Sequence, residues 1–333
     1  MKPLNKIPLS MLDLVSVREE GSVAEALAIS LATAQHAETL GFKRYWLAEH
    51  HNMQGIASSA TAVLVGYIAG GTQRIRVGSG GIMLPNHAPL VVAEAFGTLA
   101  ELYPNRIDLG LGRAPGTDPV TMRALRRERV ETEADFPRDV ADLQHLLSVP
   151  RAGQAVIAMP GAGTKVPIWL LGSSLFSAQL AAERGLPYAF ASHFAPRLLH
   201  HAIALYRELF RPSESLAQPY VMIGVPLIAA PTNDEAQFLA SSTYQRVLDI
   251  LRGDRRRFPP PVDGFMSHLN PQERGAINDF LSAAVIGDVG TVRRGLIELL
   301  RTTAADELML VCDIYDPALR LRSLDSAVEA CAA

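Results

Sequence analysis

Cysteine is scarce. The chain holds two, Cys312 in an apolar run and Cys331 near the C-terminus, at no metal-ligand spacing. Two thiols build no disulfide framework, so a reducing compartment, the cytoplasm, is the expected setting. An excess of either charge is also missing. The 31 Lys and Arg against 34 Asp and Glu leave a formal net charge of −3, which excludes a dedicated nucleic-acid surface or a polybasic membrane patch. The local run Arg252-Gly-Asp-Arg255-Arg256-Arg257 reads as a solvated loop. No apolar run reaches the length of a bilayer span, and Met1-Lys-Pro-Leu-Asn-Lys lacks the apolar core of a signal peptide.

What is present is a regular alternation. Strand patterns at 7–12, 44–49, 74–79, 106–112, 166–171, 188–191, 221–230 and 306–312 are separated by helical stretches. The helices fall at 22–40, 58–69, 89–102, within 119–147 (two pieces), from 174 to 184, at 196–210, 233–251, 271–284, 289–301 and 317–330. Ser22 with Glu25 forms a capping-box pattern, and Gly41 is a natural helix stop. Residues 149–165 and 252–270 are long loops, the second carrying Pro259-Pro260-Pro261; loops of that length are usually functional or mobile. Eight βα units predict an α/β fold, a (β/α)8 TIM barrel with insertions, as a single domain over 1–333. An open doubly wound sheet is the competing arrangement.

Barrel enzymes place their chemistry at the C-terminal ends of the strands. Those ends read His50-His51-Asn52, Ser79-Gly80-Gly81, Gly112-Arg113, Gly172-Ser173-Ser174 and Ser192-His193. In Gly172-Ser173-Ser174-Leu-Phe-Ser177 a strand runs through glycine directly into a helix, which aims free backbone N–H groups and the helix dipole at one point. That suits a phosphate, with Arg113 on the neighbouring strand supplying positive charge; a plain serine N-cap accounts for one of the three serines. Gly80 and Gly81 permit either close approach of a flat ligand or an unusual peptide geometry, or else form an ordinary glycine loop. Consecutive strand residues face opposite ways, so at most one of His50 and His51 lines a pocket. His50 is the candidate for acid/base or hydrogen-bonding work, and no metal site is expected. Gly110-Leu-Gly112-Arg-Ala-Pro-Gly116 has the wrong spacing for a dinucleotide fingerprint, and Pro115 sits where the helix should open.

Four segments in order, Tyr45-Trp-Leu-Ala-Glu-His-His51, Val77-Gly-Ser-Gly-Gly-Ile-Met-Leu-Pro85, Arg106-Ile-Asp-Leu-Gly-Leu-Gly-Arg113 and Trp169-Leu-Leu-Gly-Ser-Ser174, resemble the bacterial luciferase-like flavin monooxygenase family. The likeness is closer to its alkanal-monooxygenase-like members than to the light-emitting subunits, and it spans nearly the whole chain. It implies FMN across the C-terminal face of the barrel, used as FMNH2 from a separate NAD(P)H flavin reductase. With O2 it would oxygenate a small organic substrate through a flavin peroxide. It also implies a non-prolyl cis peptide at Gly80-Gly81 under the isoalloxazine, and phosphate contacts from Arg113, Gly172, Ser173, Ser174 and Ser177. His50 would stand at the reacting edge of the flavin, a mobile lid would fall at 252–270, and the protein would be a homodimer. The helix at 58–69 is a candidate dimer face. Two alternatives stay open within this resemblance, F420-dependent hydride transfer and a non-catalytic flavin-binding protein.

Overall fold

The computed structural model describes residues 2–113, 119–125 and 135–332. Nine strands run through them: β1 (Leu9–Asp13), β2 (Arg44–Leu47), β3 (Arg76–Met83), β4 (Ile107–Gly112), β5 (Ile168–Gly172), β6 (Tyr188–Phe190), β7 (Val221–Ala229), β8 (Val285–Gly287) and β9 (Glu307–Val311). Between and after them lie α1 (Val23–Thr39), α2 (Thr61–Gly70), α3 (Pro89–Leu102), α4 (Pro119–Leu125), α5 (Asp135–Leu147), α6 (Leu175–Arg184), α7 (Leu199–Leu209), α8 (Asn233–Arg252), α9 (Pro271–Phe280), α10 (Val289–Thr303) and α11 (Pro317–Ala332). The Ala114-Pro115-Gly116 tripeptide and the middle of the 119–147 stretch lie outside the described residues. No described helix is long and apolar enough to cross a membrane.

All pairings between these strands are parallel, in the order β1 to β7, then β9, which returns to β1 and closes an eight-stranded barrel. This is the (β/α)8 barrel that the alternation predicts. Local sequence sets the helix boundaries: Ser22 and Glu25 form the capping box of α1, and Gly185 and Gly253 take left-handed conformations just past α6 and α8.

Two features depart from the sequence reading. β8 was not expected; its three residues pair with Leu227–Ala229 on the upper part of β7, outside the closed ring. Three residues are too few for a period to show. β3 does not stop at Ser79 but continues to Met83, and its register against β4 slips between Ser79 and Ile82. The Gly80–Gly81 peptide within that irregularity is cis, as the family resemblance implies.

Alternate residues of the strands fill the barrel. Leu12, Trp46, Trp169, Met222 and Met309 form its middle layer, with the two indoles edge to face at 5.2 Å. Below them Arg44 bridges the buried carboxylates of Asp108 and Glu307, each at 2.7 Å, and lies 4.6 Å over Trp169. This ionic plug closes the N-terminal end of the barrel, so the C-terminal mouth is where a ligand can approach. The opposite parity of each strand packs outward against the helices and forms the larger apolar core.

Candidate active site

His50 follows β2 with the same parity as Trp46 and Ala48, both members of the barrel interior. The alternation therefore turns it towards the mouth. His51 turns the other way: its Nε2 donates to Glu49 Oε1 at 2.8 Å. His87 Nε2 donates to the same oxygen at 2.8 Å, and the Met83 amide donates to Oε2 at 3.1 Å. Burial pushes the Glu49 carboxyl up, but the hydrogen bond and charge of His87, with the bonds from His51 and Met83, outweigh it and hold the pKa below its ordinary value. Glu49 thus ties the end of β2 to the end of the neighbouring β3. Sequence reading missed this group because His87 is remote in the chain from Glu49 and His51. Among the described residues these three form a group whose ligand-type atoms lie within 4.8 Å of one another.

The glycines of the neighbouring β3–β4 seam have no room for side chains. A Cβ at Gly81 would lie 2.7 Å from the Gly110 carbonyl oxygen, and one at Gly110 would lie 2.2 Å from that of Ser79. At Gly80 it would meet Leu12 at 2.6 Å. The mouth of the barrel is therefore walled here by bare backbone, the condition for a flat group to approach closely.

At the end of β4, Arg113 is exposed and has no ion-pair partner among the described residues; its guanidinium lies 4.3 Å over the ring of Phe176 in the first turn of α6. The strand-to-helix passage beside it forms as the glycine-serine sequence dictates. Ser174 is the N-cap of α6, its hydroxyl accepting from the Ser177 amide at 3.4 Å. Gly172 is required there, since a Cβ would fall 2.4 Å from Ser177 Oγ. Ser173 and Ser174 are half-buried, whereas Ser177 is buried and donates its hydroxyl to the Ser174 carbonyl at 2.9 Å. Arg113, Ser173, Ser174 and the open first turn of α6 converge; the Ser177 hydroxyl is turned into the protein.

Across the mouth, His193 follows β6 and lies against β7 so closely that a Cβ at Gly224 would sit 2.2 Å from its Nδ1. That nitrogen is buried and has no hydrogen-bond partner among the described residues. Burial pushes the imidazole pKa down to about 4, with Asp313 opposing and the nearby His50 reinforcing the shift. The sequence showed His193 only as one strand-end residue among several; its fit against a glycine 31 positions later in the chain is a tertiary fact.

The 252–270 segment is docked beside this mouth. Phe258, buried, receives Glu19 N–H on its carbonyl at 2.9 Å and donates to the Val17 carbonyl at 2.8 Å. A Cβ at Gly55 would lie 2.5 Å from the Arg256 carbonyl oxygen, which places the segment directly on the loop that follows His50.

A family profile described as luciferase-like monooxygenase matches residues 8–123 and 119–307. A luciferase-like monooxygenase of Escherichia coli K12 is 50% identical over 323 residues, covering 97% of this chain and 96% of that protein. A Bacillus subtilis N-acetyl-S-alkylcysteine monooxygenase is 40% identical over 189 residues, covering 56% of this chain and 57% of its own. Among solved structures, the FMN complex of the oxygenating constituent of 3,6-diketocamphane monooxygenase from Pseudomonas putida superposes with a TM-score of 0.75 at 16% identity, covering 97% of both chains, a likeness of fold. Profile and full-length identity together establish that this chain belongs to the luciferase-like monooxygenase family.

Proposed function

We propose that the protein is an FMN-dependent monooxygenase that takes FMNH2 from a separate NAD(P)H flavin reductase and uses O2 to oxygenate a small organic substrate. The observation that carries this reading is the convergence of Arg113, which makes no ion pair among the described residues, with Ser173, Ser174 and the N-terminus of α6, beside the close-packed glycines Gly80, Gly81 and Gly110. A phosphate satisfies the free N–H groups, the helix dipole and the guanidinium at once. The bare backbone at Gly80 and Gly81 suits a flat ring system. The residues present therefore fit FMN, with Gly172 providing the clearance that lets the strand turn directly into α6, and Ser177 supporting the turn from within.

Bound reduced flavin supplies the two electrons by which O2 delivers one oxygen atom to the substrate and leaves the other as water. The chain's own part is to position and to exclude. Arg113 and the serine turn anchor the phosphate. His50 holds or moves a proton at the reacting edge. The docked 252–270 segment serves as the lid that keeps bulk water from the mouth. A second copy of the chain is expected to cover the exposed Val63 and Tyr67 of α2, giving a homodimer working in the cytoplasm, where the reductase supplies FMNH2.

The test is substrate-dependent incorporation of label from 18O2 by protein given FMN and a flavin reductase. N-acetyl-S-alkylcysteines lead the substrate screen because a relative is named for them. Label in product establishes the reaction. Reduction of a substrate by F420H2 without oxygen would replace this reading with hydride transfer, and tight FMN retention without turnover of any substrate would replace it with flavin storage.

A further inference from the structure

Behind His193 lies a cavity of about 80 Å³ between the upper half of β7, the middle of α8 and the residues after β9. Its walls are mostly apolar, Pro226, Val247, Phe280 and Val311 among them. The charges that reach it cancel: Arg246 donates to Asp313 at 2.9 Å and to Ser16 Oγ at 2.8 Å. Thr243 spends its hydroxyl proton on the Asp313 carbonyl at 3.1 Å. An ionic group entering here would lose its water and find no unmatched counter-charge. Volume sets a second limit. A dry apolar cavity of roughly 150 Å³ holds the six carbons of benzene, so one about half that size takes roughly three non-hydrogen atoms.

One polar function is left over. Nδ1 of His193 is sealed against Gly224 with no partner among the described residues. A buried N–H without an acceptor is rarer in proteins than an unused lone pair. The imidazole proton therefore belongs on Nε2, the ring's remaining hydrogen-bonding atom. Its low pKa keeps the ring neutral, a single donor rather than a cation, at neutral pH.

We propose that this cavity receives an uncharged apolar arm of the organic substrate, about three non-hydrogen atoms long, and that His193 Nε2–H donates to a hydrogen-bond acceptor carried next to that arm. The inference rests on the reading that the barrel mouth is the reaction site, and it names the substrate class for it: short-chain, neutral at the arm, with a carbonyl-type oxygen or similar acceptor adjacent. Arms that are long or end in a carboxylate or ammonium are excluded.

The experiment is calorimetric titration of the full-length, FMN-saturated protein, in the oxidised and non-reacting state, with N-methyl, N-propyl and N-hexyl acetamide and with butyrate. Flavin fluorescence measures FMN binding separately. Affinity is expected to rise from methyl to propyl and to fall about tenfold at hexyl, with butyrate at least tenfold weaker than N-propyl acetamide. Val247→Ala, which deepens the cavity, should recover most of the loss at hexyl. His193→Leu should weaken the propyl amide about tenfold, and His193→Gln, which restores a donor, should regain most of it. Steady gain through hexyl, equal binding of butyrate, no binding of any amide, or indifference to His193→Leu would each overturn the proposal. If FMN fails to bind while the chain-length break persists in the flavin-free protein, the flavin reading fails and this one stands.

Discussion

The guanidinium of Arg113, at the end of β4, lies 4.3 Å over the ring of Phe176, in the first turn of α6. Two strand ends that are distant in sequence thereby share one electropositive corner. If that corner holds the flavin phosphate, Arg113→Ala removes charge-assisted hydrogen bonds worth ~1.5–3 kcal/mol, or about 10- to 100-fold in FMN affinity. The side chain is exposed and makes no ion pair among the described residues, so the melting temperature of the flavin-free protein should barely move. Fluorescence titration with FMN, set beside thermal unfolding, checks both halves. An unchanged FMN affinity would remove Arg113 from the phosphate site.

His50 should divide binding from chemistry in the other direction. It sits on the inward parity of β2, away from the phosphate corner, so His50→Ala is expected to keep FMN affinity within about threefold of wild type. Turnover should fall by the ~100- to 10,000-fold typical of a lost acid or base. Rapid-quench turnover at saturating FMNH2 measures this, and wild-type rates in the variant would exclude His50 from the reaction.

The barrel and much of its mouth were legible in the sequence because they rest on local signals. Ser22 with Glu25, the glycine before Ser173, and the alternating strand at 106–112 each announce their own structure within a few residues. The strand-end rule then collected His50, Arg113 and Ser174 without coordinates. The rest depends on contacts between distant segments. No local pattern pairs Glu49 with His87, seals His193 against Gly224, or turns the Ser177 hydroxyl back to the Ser174 carbonyl. β8 escaped notice because Val285–Gly287 is shorter than any period that could mark it.

Outside the barrel, Asp13 and Arg320 pair at 2.9 Å between β1 and α11, both buried. Burial pushes the Asp13 carboxyl up, but Arg320 and the Ser30 and Tyr45 hydroxyls outweigh it and hold the pKa below its ordinary value. Its contribution to stability is thus present above the unfolded-state pKa near 3.8 and is lost as pH falls through the lower folded value. Asp13→Asn leaves a buried guanidinium unpaired and should cost ~3–5 kcal/mol at pH 7. Urea unfolding should show that cost shrinking in strong acid, and Asp13→Asn with Arg320→Met should recover part of it. A single variant as stable as wild type would show the pair to be dispensable.

His193 gives the opposite case, a base rather than an acid with a lowered pKa. Its folded-state value of about 4 lies below the 6.5 of a free imidazole, so between those values the unfolded chain binds a proton that the native state refuses. Native stability on this account is complete above pH 6.5 and declines as pH falls towards 4. The window lies above the range in which Asp13 acts, so the two are separable. Replacing His193 with Gln removes the titrating group, and the other histidines cancel between the two proteins. Urea unfolding at pH 7.5, 6.0 and 5.0 should therefore show wild type losing stability faster than the variant, by at most about 1.4 kcal/mol per pH unit, the limit for one proton. Parallel pH profiles would mean that the ring gains a proton in the native state as readily as in the unfolded one. Nδ1 would then not be held bare against Gly224, because a proton accepted there needs a partner that the packing does not provide.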